Sequence, residues 1–592
     1  MKRIIAALLS LLLALQFAPM AQAAPFHQGA PEAVAPGLAA PEGTGDPSSA
    51  AAALDELAAE LFVYEASYST DTLNLMVAHP EKYGIERFDP TLGDPCDPQA
   101  LKGQTKYYHT LLLRLEGIDY AALPSSGQVT YDVLADSLGL WVEYANFTYH
   151  QEPLAPAMGL HVQLPLTFTE YHFRTVQDIE DYLALLEDAP RYLEQVAQFE
   201  RDKASRGLFM NASALDTVIG ECEDLIDDEA ADNFLVRFFD ELLTGDDPLF
   251  ANLDESTKET YRTRNLQAVG QQFIPAYQNL ISTLTSLEES THQGGVSSYP
   301  RGQAYYSLLM RTEGFSRTPS DALDLLTTRI DEGFGEMLDL PYTSLPERDE
   351  SPEEVLAYLE GILGTEFPEL GAVNYTVKEI SEELGNDVVM AYYLMPPVDE
   401  PDNNIIRVNP DNIPPSELFT TLAHEGFPGH LYQTVYFSRS NPTPIRQAVG
   451  YSGYSEGYAM YVEEYAMGLE GLSEDGLRFA KLMNETDYYL YAAVDIGVNY
   501  QGWSSAQTES YLAQWGLESM GQPLYENALE VPAVYLDYGL GLLEFLELRG
   551  SAETALGGSF DPLAFHTFIL DLGPVPFGIL TARFDEWLEE QG

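Results

Sequence analysis

The sequence predicts a mainly α-helical protein, a large two-lobed body with one small β element, and three observations lead there. Apolar residues recur at three- and four-residue steps along most of the chain, which is the spacing of a helix face turned towards a core. Only two short segments read as strands. After residue 50, no low-complexity linker and no internal repeat divides the chain, so residues 51–592 read as one helical unit.

Composition narrows the function before any motif does. The 592 residues include 93 acidic and 29 basic side chains, for a formal charge of −64. A nucleic-acid partner needs a basic footprint for the phosphates, and no such run exists. A hydrophobic fraction of 45%, with 37 Tyr and 27 Phe, is too apolar for a disordered acidic chain. The charge therefore reads as the solvated surface of a folded protein.

Taken in chain order, residues 1–23 have the three-part layout of a secretory signal peptide. Lys2 and Arg3 precede an apolar stretch, and Ala21-Gln22-Ala23 offers a small-x-small cleavage site. That stretch is too short for a membrane span, and no cysteine near the site offers a lipid anchor. The expected product is secreted or extracytoplasmic. Residues 24–50 are rich in Ala, Pro and Gly and read as a disordered tether. From Ala51 a helical stripe begins with Leu54, Leu57, Ala58 and Leu61, and similar stripes recur in 176–203, 254–290, 320–340 and 352–363. The only cysteines, Cys96 and Cys222, allow one disulfide in an oxidising compartment or two separate buried thiols. They exclude a thiolate zinc site, so any metal must be held by His and carboxylates.

The strand candidates are Val388–Leu394 and Ile405–Val408, β-branched or aromatic runs of which the second is bounded by turn formers, although each also fits a buried helix turn. Arg407, in the second, reads as an edge-strand residue able to hold a substrate carboxylate. After Pro414-Pro415, Ser416 is placed to cap a helix that carries Leu418 and Leu422 on its apolar side.

That helix runs into His424-Glu425-Gly426-Phe427-Pro428-Gly429-His430. With ten histidines and 93 acids in the chain, an H-acid-x4-H arrangement is expected by chance only about 0.03 times. Histidines four apart sit about 40° from each other around a helix and can share a metal, whereas six apart they sit about 240° apart. A regular helix cannot use this spacing. Pro428 removes a backbone donor and Gly429 tolerates unusual dihedrals, so the helix is expected to break between the histidines, with two residues looped out to return His430 to the metal side.

A catalytic zinc takes three protein ligands and keeps one open position. The third candidate is Glu456 in Tyr454–Glu464, whose helical periodicity groups Glu456, Met460 and Glu463 with Tyr458 and Tyr461 beside them. Glu463 reads as an alternative ligand or as an acceptor that orients a histidine ring. Glu425, adjacent to the first ligand, is placed as general base for water activated by the metal. Tyr538, in Pro532–Gly541, is the first candidate donor to a developing oxyanion.

These segments, with VDIGVNYQGWS, FDPLAFHTFILDLGPVPFGIL and, in the N-terminal half, GLHVQLPLTFTEYHFRTVQDIEDYLALL, resemble the bacterial domain-of-unknown-function 885 family. The resemblance covers nearly all of the chain after the tether. It implies a helical zincin-like fold related to the gluzincin metallopeptidases, with its active-site part in about 375–592. It further implies Zn2+ held by His424, His430 and Glu456, with Glu425 as base. Leu431 and Asn499 stand where the family pattern often has histidines, so roles tied to those positions do not carry over. His566 reads as a packed C-terminal residue. The expected activity is hydrolysis of peptide bonds, mainly in short peptides. The alternatives are a non-catalytic extracytoplasmic binding protein on the same scaffold, and zinc-dependent hydrolysis of a non-peptide amide or ester.

Overall fold

A computed structural model describes residues 47–380, 390–409 and 412–591. The signal-like segment and residues 24–46 of the expected tether lie outside the described residues. The described chain is mainly helical, with one three-stranded sheet. Among the described residues, no helix is long and apolar enough to cross a membrane.

The first helix, α1 (Pro47–Ala66), starts four residues earlier than the stripe suggested and so takes in residues 47–50 of the expected tether: proline suits a helix's first turn, and Ala50 is already buried. Leu54, Leu57, Ala58 and Leu61 are all buried. The stripe at 176–203 is α2 (Val176–Ala204), and that at 320–340 is α3 (Pro319–Met337). The 352–363 stripe is α4 (Pro352–Ile362), begun by a Ser351/Glu354 capping box. Residues 254–290 form helices Glu255–Ala268 and Ile274–Ser286, joined by a π-turn at Val269–Phe273.

Buried apolar side chains gather into two clusters. One is drawn from residues between 92 and 284 and centres on α2, and the other combines the N-terminal helices with most of the described buried apolar residues from Val296 onwards. Cys96 and Cys222 both lie in the first cluster as free, buried thiols, so the allowed disulfide is not formed. Burial pushes both thiols up, away from the reactive thiolate.

The sheet consists of β1 (Tyr375–Glu379), β2 (Ala391–Leu394) and β3 (Asn404–Val408) in the order β1-β3-β2. β3 pairs parallel with β1 and antiparallel with β2, which places Tyr393 opposite Ile406. β2 and β3 fall at the two expected strands; residues 388 and 389 are outside the described set, and Met390 precedes β2. Two expectations fail here. Arg407 is on the central strand, not an edge, and its guanidinium is taken by Glu170 at 2.7 Å. Ser416 does not cap the following helix. That helix is preceded by Glu417 without a side-chain cap, and its first turn uses the Pro414 carbonyl, which accepts from Glu417 N–H at 2.8 Å and Leu418 N–H at 3.2 Å.

The site is carried by α5 (Leu418–Glu425), α6 (His430–Ser440), α7 (Ser452–Met467), α8 (Glu474–Asn499) and α9 (Val534–Leu556). Helices α7 and α9 cross with their backbones in contact. A β-carbon on Gly457 would lie 2.4 Å from the carbonyl carbon of Gly541, and one on Gly541 would lie 2.5 Å from the oxygen of Gly453. Only glycine fits that crossing.

Candidate metal centre

The expected break is present. α5 ends at Glu425, and Gly426 (φ −110°, ψ −96°) and Gly429 (φ −80°, ψ −136°) leave helical geometry before α6 begins at His430. Gly429 N–H donates to the Ala423 carbonyl at 2.9 Å, and Tyr432 N–H donates to the Gly426 carbonyl at 3.1 Å. Both bonds reach six residues back instead of four, so the link absorbs two extra residues. The Tyr458 hydroxyl donates to the Pro428 carbonyl at 3.1 Å, which ties the link to α7.

The consequence is convergence. The Nε2 atoms of His424 and His430 lie 3.1 Å apart. Glu456 places Oε2 3.3 Å from His424 Nε2 and Oε1 3.5 Å from His430 Nε2. One ligand atom from each of the three residues lies within 4.8 Å of the others, and among the described residues this is the only His/Cys/Asp/Glu group so arranged. Its members are nearly dry, with exposures of 5% (His424), 5% (His430) and 1% (Glu456).

The donor set fits a divalent cation on the structure's own terms. Both carboxylate oxygens of Glu456 are buried and receive no hydrogen bond, a costly arrangement unless a positive charge sits before them. His424 Nδ1 is 2.7 Å from Glu463 Oε1. Donation from Nδ1–H to that carboxylate leaves the Nε2 lone pair facing the common point, the usual arrangement of a metal-bound histidine and its outer partner. Glu463 therefore stands where an acceptor orienting the His424 ring would stand, and Glu456 where a third ligand would.

The charges tell the same story. Burial favours the protonated form of Glu456, but the two imidazoles outweigh it and hold the carboxyl down to about 2. Burial would lower His424, yet the Glu456 and Glu463 carboxylates raise it well above the usual imidazole range. Both shifts mean that positive charge between these groups is stabilised.

Glu425 is 3% exposed and is fixed by Tyr393 N–H of β2, which donates to Oε2 at 2.8 Å. Burial raises its carboxyl above the ordinary range, opposed by His424 and His430. Tyr538, on α9, is half-buried and stacks on Tyr488 with ring centroids 5.9 Å apart. Burial, then the Glu456, Asp537 and Glu425 carboxylates, push its hydroxyl well up. It thus stays a donor close to both site glutamates.

Other singled-out residues lie elsewhere. His566 is fully buried, donates from Nδ1 to the Glu366 carbonyl (2.6 Å), accepts from the Tyr461 hydroxyl (2.7 Å) and stacks on Phe367. This is the packed residue expected. Asn499 bridges Val296 N–H and the Ala528 carbonyl, and Leu431 is core. A cavity of about 1510 Å³ borders another face of α7, lined in part by Tyr461, Glu464 and Tyr465, and contains none of the triad. Most of its charges are spent on each other, as in Arg329–Glu547, Arg478–Glu336 and Arg549–Glu553. The Tyr393 backbone donor was missed in the sequence, since an N–H carries no residue signature.

A family model described as "Bacterial protein of unknown function (DUF885)" matches residues 80–340 and 348–584. No curated protein matches the chain. The fold is similar to a crystal structure from Colwellia psychrerythraea, provisionally described as a lipoprotein, with TM-score 0.75 and 20% identity over 92% of this chain and 99% of that one. A Shewanella oneidensis structure, provisionally described as a lipoprotein of unknown function, gives TM-score 0.56 and 15% identity over 83% and 93%. At these identities the likeness concerns the fold.

Proposed function

This chain belongs to the DUF885 family, and we propose that it is a zincin-like, zinc-dependent peptidase acting outside the cytoplasm. The observation that carries the reading is the buried, donor-free carboxylate of Glu456 facing two imidazoles, with Glu425 fixed beside them. A purely structural metal site needs no carboxylate next to its ligand. The signal-like N-terminus and the likeness to proteins provisionally described as lipoproteins support the location.

His424, His430 and Glu456 would hold the ion, which when bound supplies Lewis acidity to a water and to an amide carbonyl. Glu425 accepts the proton of the attacking water. Its raised affinity for protons suits that task, and the same carboxyl then delivers the proton to the leaving amine. Tyr393 N–H, donating to Oε2, holds the Glu425 carboxylate in place for that exchange. Tyr538 donates its O–H to the oxygen that gains charge. Glu463 keeps the His424 ring in one tautomer and orientation. Net, one water is added across one peptide bond.

The test is metal analysis with a peptide-library digest. The expected result is one zinc per chain and cleavage that Glu425→Gln reduces by at least about 100-fold while zinc is retained. Protein that takes up no zinc, or that carries zinc and cleaves nothing, refutes the reading.

A further inference from the structure

A second set of carboxyls stands against the triad. Asp537 lies one turn before Gly541 and so on the same face of α9, the face whose backbone touches Gly453 and Gly457 of α7. That face carries Asp537 to the first turns of α7, where Glu456 stands. Glu313 reaches the same place. Its carbonyl accepts from Gly453 N–H at 3.0 Å, and its carboxyl accepts the Ser452 hydroxyl.

Asp537 is 6% exposed, and its Oδ1 is buried with no hydrogen-bond partner. Among the described residues, no Lys, Arg or His pairs with Asp537 or Glu313. The neighbouring Asp495 is different, because the Tyr306 hydroxyl and Ala533 N–H already satisfy it. Asp537 is thus a buried carboxyl beside the proposed reaction centre whose Oδ1 lacks a partner, and a buried acceptor left unsatisfied is costly whether or not the group is charged.

The partner's chemistry follows from what the carboxyls lack. A metal ion needs several ligand atoms at one point, and among the described residues only the triad offers that. Asp537 and Glu313 belong to no such group. An ammonium carries three N–H donors and is satisfied by separate acceptors around it. In a peptide whose first carbonyl is attacked, the terminal ammonium is only two bonds from the reacting carbon, so a carboxyl flanking Glu456 is where it falls.

Resting on the peptidase reading, we propose that Asp537, with Glu313, receives the free N-terminal ammonium of the substrate, which makes the enzyme an aminopeptidase. Burial, followed by the Glu313, Glu456 and Asp495 charges, keeps Asp537 protonated well above the usual carboxylate range. An arriving ammonium reverses that, with the displaced proton released to solvent. The arrangement discriminates against N-blocked peptides, because a neutral acetylated amine leaves the same acceptors unpaired.

The experiment compares two tetrapeptides that differ only in N-acetylation, using full-length zinc-loaded protein. The free peptide should be cleaved after its first residue with kcat/KM at least 100-fold above that of the acetylated one. Asp537→Asn and Glu313→Gln should each shrink that ratio by tenfold or more, mainly through KM. Equal cleavage of the two peptides by the unaltered protein overturns the ammonium site and leaves the peptidase reading standing. Calorimetric binding to zinc-loaded Glu425→Gln protein decides the remaining case. If nothing is cleaved, at least tenfold tighter binding of the free peptide still supports the ammonium site while the peptidase reading falls, and equal binding overturns the site.

Discussion

Replacing Gly429 by alanine puts the geometry of the broken helix to the hardest test. A β-carbon there would lie 1.8 Å from the His424 carbonyl oxygen and 2.4 Å from that of Ala423, both backbone atoms that cannot rotate away. Real β-carbons essentially never come within 3.0 Å, so relieving the first contact alone opens the link by about 1.2 Å. The opening falls between two imidazoles whose Nε2 atoms are now 3.1 Å apart. Metal–ligand distances tolerate about 0.2 Å, so the displacement exceeds the tolerance severalfold and one histidine is lost as a ligand. The expected loss of zinc affinity is at least about 100-fold, or about 2.8 kcal/mol. Gly335→Ala is the control, since a β-carbon there meets nothing within 4 Å. Competition with a chromophoric zinc chelator measures the affinity, and far-ultraviolet circular dichroism checks that both variants keep their helices. A folded Gly429→Ala protein that binds zinc as tightly as the unaltered chain would refute the link as the source of convergence.

Three further outcomes follow from the same structure. Glu463→Gln keeps an acceptor for His424 Nδ1 but loses its charge, and zinc affinity by competition titration should fall about 10- to 100-fold. Tyr538→Phe should retain zinc yet lower kcat by about 100- to 1000-fold, as removal of an oxyanion donor does; unchanged kcat would reassign the donor. His566 is lowered to about 4, chiefly by burial, so it is neutral in the folded protein while the unfolded chain takes up its proton near pH 6.5. Its contribution is therefore complete above pH 6.5 and drains away as pH falls towards 4, by about 3 kcal/mol. In urea unfolding, the stability advantage over His566→Phe should shrink by that amount between pH 7 and pH 4, and a constant advantage would count against the assignment.

The legible parts of the fold were those set by local pattern. Apolar stripes announced the helices because Leu54, Leu57 and Leu61, and their counterparts in α2 and α3, really are the buried positions. The His–His break was legible for a different reason, since Pro428 and Gly429 are the residue types that interrupt a helix. What failed depended on partners distant in the chain. β1 is largely exposed and gains its identity from parallel pairing with β3, 29 residues on. Because β1 covers the far side of β3, Arg407 became central rather than peripheral, and Glu170 from the other half of the chain occupies it. Cys96 and Cys222 share a hydrophobic cluster without bonding, a distance no spacing rule encodes. At the site, side chains with characteristic chemistry were readable, whereas the backbone donor from Tyr393 was not.

The glycine crossing of α7 and α9 explains why a site assembled from separate stretches holds its spacing. Glu456 immediately precedes Gly457, and Asp537 and Tyr538 lie four and three residues before Gly541, the two glycines whose backbones touch. The separation between the backbone carrying Glu456 on one helix and that carrying Asp537 and Tyr538 on the other is thus fixed by main chain against main chain, with no rotamer between the glycines. A bulkier residue at either glycine would part the helices and move Glu456 away from Tyr538 and Asp537 together. The contact that consolidates the core is therefore the same contact that sets the dimensions of the proposed reaction centre, and this coupling of packing to geometry is what the proposed catalysis demands of its pre-positioned groups.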